Sequence, residues 1–259
     1  MSRAGIDSKF ARARRLASEL SAEVEGFLSG EPYRLEASEE PNGDLVYRVQ
    51  VRAQPPIGWS VLIGDIVHNA RSALDHLAYA LVNKNGGTPD EHTYFPISDQ
   101  PTGFGAKIRK SLHGASKESK DVIRALEPWQ GGDDILWRLH RLDIFDKHQL
   151  LVPVGAAHGG ILVDTTFMGF KEGDDPVRIP PYQVLSGDRQ YPLQDRAEVF
   201  RIMKAGREPR DGPIRTDYSV VFEVAFGEGA IVQGEPLVPT LGDMVEHVAS
   251  VVEPLVIGL

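Results

Sequence analysis

Chemistry-bearing side chains crowd one apolar stretch of this chain. "HNARSALDHLAYALV", residues 68–82, is mostly Ala, Leu, Val and Tyr, yet it holds His68, Asn69, Arg71, Asp75 and His76. An imidazole moves protons near neutral pH. A guanidinium grips phosphate or carboxylate. A carboxylate orients either one. A second stretch, "LHRLDIFDKH", places His140, Asp143 and Lys147 at i, i+3 and i+7 among Leu136, Ile144 and Leu151. A polar triplet inside an apolar stripe must face a partner rather than bulk water.

The spacing of the first stretch sorts these groups. At about 100° per residue, Val67, Ala70, Ala73, Leu74, Leu77, Ala80 and Leu81 form one broad apolar side. Asp65, Asn69, Ser72 and His76 stack on the other side, with His68, Asp75 and Tyr79 beside them and Arg71 at the edge. A solvated face usually carries Lys and Glu. This stripe carries shorter groups that make directed hydrogen bonds. Arg71 and Asp75, at i,i+4, are spaced to pair. His68, His76, His140 and His148 all fall on these two stretches. The simplest joint reading is two helices facing each other, with His68, Arg71, Asp75, His76, His140, Asp143 and Lys147 between them.

Three chemistries fit such a cleft. The first is metal-independent phosphodiester cleavage, with arginine and lysine on the phosphate and histidine moving protons. The second is a metal site. Asp65-x-x-His68 and His140-x-x-Asp143 have one-face spacing, and His76 could add a nitrogen. Against it, Arg71 and Lys147 would repel a cation, and the Glu-x-x-His pairs of di-iron bundles are absent. The third is no catalysis, the cleft binding a small ligand or a partner.

"RSALDH", Arg71 to His76, is an arginine, four residues and a histidine on one helix. It resembles the R-x4–6-H motif of the HEPN superfamily, helical bundles that are often ribonucleases. The resemblance covers one helix, and Ser72 follows the motif arginine. It implies Arg71 on the scissile phosphate and His76 as acid/base. His140 joins these two as a catalytic residue, and His68, Asn69, Asp75, Asp143 and Lys147 support them. It also implies RNA as partner, a homodimer and no cofactor. The longer signature "GDIVHNARSALDHLA … LHRLDIFDKH" is similar to a group of uncharacterised actinobacterial and phage-type proteins, which implies no activity.

Other elements must position these two helices. Phe10, Leu16, Leu20, Val24 and Leu28 recur at helical spacing over 8–29. Its basic residues precede its acidic ones, against the helix dipole, so packing must hold it. Residues 33–52 read as a β-hairpin turning at Asn42-Gly43. The first polar stretch lies in a helix over 57–84, stopped by Asn85-Gly86-Gly87. Helices follow at 104–112, 116–127 and 133–150, the last opened by Asp133 and Asp134. From Pro153 the chain turns to β-like runs: "GGILVDTTFMGF", "PVRIPPYQVL", "RAEVFRIM", "YSVVFEVAFG" and "AIVQGEPLV". Thr240 to Asp243 resembles a capping box for a last helix, 241–253, which Pro254 should end or kink. The fold class is α+β. Residues 1–155 are mainly helical, with the hairpin, and 156–259 form a mostly antiparallel sheet with a terminal helix. If the hairpin joins that sheet, the two parts are one domain.

Bulk properties bound the function. The 259 residues suffice for a real core. With no cysteine, thiol catalysis, disulfides and Cys-ligated metals are excluded. The net charge of −9 argues against generic DNA binding. Two basic runs, Lys9 to Arg15 and Lys107 to Lys120, read as solvated helix faces. No apolar run approaches the roughly 20 residues that span a bilayer. The first residues lack an apolar signal core, so no membrane and a cytoplasmic location are expected. His158 and His247 read as structural or exposed.

Overall fold

A computed structural model describes residues 3–161, 182–186, 190–204, 218–227, 229 and 231–257. The chain is α+β. In order it runs α1 (Arg3–Ser29), β1 (Tyr33–Glu39), β2 (Leu45–Val51), α2 (Trp59–Lys84), α3 (Phe104–Ser111), α4 (Lys117–Ala125) and α5 (Asp134–Asp146). Then come β3 (Pro153–Ile161), β4 (Tyr182–Ser186), β5 (Glu198–Lys204), β6 (Tyr218–Phe226) and α6 (Leu237–Val256).

The larger core is helical and α2 is its axis. Ile63, Ile66, Val67, Ala70, Ala73, Leu74, Leu77 and Ala78 of α2 are all fully buried. They meet Ile6, Phe10, Leu16 and Leu20 of α1, and Leu241, Val245, Val248 and Val252 of α6. This apolar contact holds α1, whose charge order gives it no help from its own dipole. α5 lies on the remaining side of α2 through Leu136, Leu139 and Leu142. Asp133 caps α5, accepting from the Leu136 backbone N–H at 3.1 Å. It also receives His247 Nε2 at 2.7 Å, so His247 ties α6 to the start of α5. The side chain of His158 lies outside the described residues.

The β1–β2 hairpin does join the later strands. The first sheet has the order β1-β2-β5-β4 and is antiparallel throughout. At its turn Gly43 has φ 85°, which a side chain would strain, and Asn42 Oδ1 accepts from the Asp44 N–H at 3.0 Å. Among the described residues β3 and β6 form a separate antiparallel pair, so the expected single sheet is two there. Tyr33, Tyr47, Val49, Ala157, Leu193 and Val199 fill a small core between them. Val224 and Phe226 of β6 belong to the helical core instead. Residues 162–181, which hold most of the run from "LVDTTFMGF" to "PVRIPP", lie outside the described residues.

Three expected boundaries move. α5 stops at Asp146 rather than 150 and gives way to a turn, ahead of the extended backbone that Pro153 requires at Val152. α6 begins at Leu237, with Pro236 preceding it, so Thr240 is inside the helix rather than its cap. Pro254 lies within α6, which runs on to Val256. Its ring removes one backbone hydrogen bond, and that loss is confined to the last turn. Residues 231–238 of "AIVQGEPLV" form turns and the start of α6, not a strand.

β1 and β3 come close enough to predict a measurable effect. A Cβ built on Gly155 would overlap the Tyr33 hydroxyl, and Tyr33 is buried. Gly155→Ala should lower stability by about 1–3 kcal/mol, seen as a lower urea midpoint. An unchanged midpoint would mean that the two strands are not held at this distance.

Candidate functional site

α2 and α5 face each other, and two clusters result. In the inner one, Arg71 is only 6% exposed. Its Nη1 donates to Asp75 Oδ1 at 2.7 Å, its Nη2 to the Phe95 carbonyl at 3.1 Å, and its Nε to His140 Nδ1 at 3.3 Å. The Phe95 N–H donates to the same Asp75 oxygen at 2.9 Å. One ion pair on α2 thus satisfies both backbone groups of buried Phe95. It pins the loop before α3 and also reaches α5. Lys107 of α3 donates to the Ile97 carbonyl nearby. Burial and the charge of Arg71 lower its pKa, against the opposing effect of Asp99.

His140 belongs to this inner cluster. Burial, then the charges of Arg71 and Lys107, depress its pKa to about 4. Its imidazole is therefore neutral at physiological pH.

The outer cluster lies about one turn away along both helices. Asp143, 5% exposed, receives His68 Nδ1 at 3.0 Å on one oxygen and Lys147 Nζ at 2.6 Å on the other. The His68 side chain is 57% exposed. A buried carboxylate thus orients an open imidazole. Asp146, one turn on, lies against Gly64 of α2, where a Cβ would overlap its carboxylate. Burial, with Asp143 and Asp65 nearby, raises the Asp146 pKa, and only His68 opposes this.

His76 belongs to neither cluster. Its Nδ1 is buried without a hydrogen-bond partner and lies 3.3 Å from the Cβ position of Gly5 on α1. Burial and Lys9 lower its pKa, partly offset by Asp75. Asn69 also turns toward α1, accepting from Lys9 Nζ at 3.3 Å. The polar stripe of α2 therefore splits. His68, Arg71 and Asp75 face α5 and the Phe95 loop, while Asn69 and His76 face α1. The expected cleft keeps His68, Arg71, Asp75, His140, Asp143 and Lys147 and loses His76. The hydroxyl of Tyr79, which lies beside the same stripe, donates to the Asp90 carbonyl at 2.8 Å. The alternative metal set of Asp65, His68, His76, His140 and Asp143 is corrected as well. Among the described residues no three His or carboxylate groups are placed to hold a metal ion. His76, turned to α1, cannot complete it.

Sequence reasoning missed Lys107, Phe95 and Asp146 as members of the site. Gly64 carried the one readable signal, since a glycine inside a helix pattern often marks a close approach. No protein-family model, curated protein or solved structure matches this chain. No helix among the described residues is long and apolar enough to cross a membrane.

The His140 environment makes a pH prediction. Its folded pKa lies below the ordinary 6.5. Between pH 6.5 and 4 the unfolded chain therefore takes up a proton that the folded protein refuses. Stability is fully present above 6.5 and falls as the pH falls through that window, by at most on the order of 3 kcal/mol from this residue. His76 adds a slope of the same sign. His140→Gln, which can still accept from Arg71, should lose less urea stability than the parent between pH 6.5 and 4. Equal losses in the two proteins would contradict the assignment.

Proposed function

We propose that the α2–α5 face carries metal-independent acid–base catalysis and that its reaction is RNA cleavage. The observation that carries this reading is the outer cluster: an exposed His68 whose Nδ1 meets the buried carboxylate of Asp143, with Lys147 on the other oxygen. A carboxylate that accepts from Nδ1–H leaves Nε2 as a base open to solvent.

In the proposed reaction His68 Nε2 takes the proton of a ribose 2′-hydroxyl. The 2′-oxygen attacks phosphorus, and the bond from phosphorus to the 5′-oxygen breaks. The departing 5′-oxygen takes a proton from Asp146, the carboxyl that burial and the neighbouring Asp143 and Asp65 push above its ordinary pKa. The products are a 2′,3′-cyclic phosphate and a 5′-hydroxyl. Lys147 neutralises charge on the phosphorane. No cofactor takes part. This departs from the HEPN resemblance in its residues, since His76 is on another side of α2 and Arg71 is buried and paired. A homodimer and a cytoplasmic location belong to the same reading.

A second reading rests on the inner cluster. Each of the three nitrogens of Arg71 already has a protein partner. A buried arginine held on three sides in this way can serve purely to join α2, α5 and the Phe95 loop. The chain would then be a binding or interaction protein without catalysis.

The test is cleavage of a defined RNA in excess EDTA by the purified parent, His68→Ala and His76→Ala, with all three shown to be folded. We expect the parent to cut, His68→Ala to lose at least about 100-fold, and His76→Ala to stay within a few-fold. Loss in His76→Ala with activity kept in His68→Ala would restore the Arg71/His76 assignment and overturn this one. A silent parent would sink the nuclease reading in favour of the paired network.

A further inference from the structure

We infer that Arg71 is a positioning residue that locks His140 as its Nε2–H tautomer, making His140 a neutral hydrogen-bond donor to an anionic oxygen rather than a proton carrier. The donor clause rests on the reading that this face takes a phosphodiester. The tautomer clause stands without it.

The argument starts from the guanidinium. Asp75 and the Phe95 carbonyl hold its two terminal nitrogens, so its plane cannot turn. Its Nε carries a hydrogen and no lone pair, so it can only donate. The atom that it meets, His140 Nδ1, must therefore accept. A neutral imidazole whose Nδ1 accepts carries its hydrogen on Nε2. A second proton, on Nδ1, would set two N–H groups against each other beside a buried cation.

Nε2 has no partner among the described residues and is not one of their fully buried unpartnered atoms, so its hydrogen is left to donate. The charges that act on His140 are Arg71, Lys107 and Lys147, with only Asp143 opposing them. A donor among three cations suits an oxyanion, and a phosphoryl oxygen meets that description. Roles then divide between the clusters. His68 moves the proton, and His140 steadies charge without giving one up.

Nitrogen-15 NMR of the His140 ring tests this, with the signal assigned through the backbone so that no variant is needed. In the parent the Nε2–H form should be the only one from pH 5.5 to 8, with no titration near 6.5. The Nδ1–H form, a mixture of the two, or a midpoint near 6.5 would overturn the lock. Arg71→Lys keeps the charge but loses the fixed Nε–H, so it should turn the single tautomer into a mixture. A single unchanged tautomer in a folded Arg71→Lys protein would show that Arg71 does not position the ring. Adding inorganic phosphate to the parent should shift the Nε2–H signal, saturably, more than that of exposed His148. No such shift would overturn the donor role. A locked tautomer in a protein that cuts no RNA would leave the lock standing and remove the nuclease reading. A cutting protein with a free tautomer would do the reverse.

Discussion

A guanidinium sits inside this fold, and the arrangement around it follows from the need to satisfy it. Taking Arg71 out of water costs several kcal/mol, and its partners must offset that. Asp75, one turn along α2, supplies the opposite charge. The Phe95 carbonyl and His140 take the remaining directions. Each partner lies on a different element, so the same bonds that satisfy the charge fix the Phe95 loop and α5 against α2. Apolar contact along α2 brings these elements together without choosing their rotation or register. Directed bonds to a buried arginine make that choice.

The register set in this way accounts for the second cluster. With His140 opposite Arg71, the next turn of α5 brings Asp143 to His68, and the end of the helix brings Asp146 to Gly64. Burial and charge then pull the titrating groups apart. His140, buried beside three cations, is pushed down to about 4, while Asp146, part-buried beside two carboxylates, is pushed up. Groups driven apart by their surroundings are the usual raw material of acid–base pairs. The open imidazole of His68 lies with the group pushed up, away from the one pushed down.

Much of this arrangement is legible in the residue pattern. The 3.6-residue period of the apolar positions places the helices, Asn42-Gly43 places the hairpin, and Arg71–Asp75 reads as a pair. The facing of α2 and α5 follows from polar groups embedded in two apolar stripes. The division of the α2 stripe does not. Asn69 and His76 look continuous with His68 and Arg71 on a helical projection. A projection does not say that α1 covers one flank and α5 the other. Lys107 and Phe95 are hidden for a related reason. Neither has a local pattern that marks it, and both enter through contacts between elements distant in sequence. The expected single sheet fails on pairing, because alternation reports a strand and not its neighbour.

The most direct test of the central claim is a double-mutant cycle in urea with Arg71→Met, Asp75→Leu and the pair together. If the ion pair sets the joint between α2, α5 and the Phe95 loop, each single change strands a charge or its partners. The double variant should then be more stable than the sum of the single losses predicts, by at least about 1.5 kcal/mol. Losses that simply add, within about 0.5 kcal/mol, would mean that Arg71 and Asp75 do not act as a unit and that the fold does not depend on them.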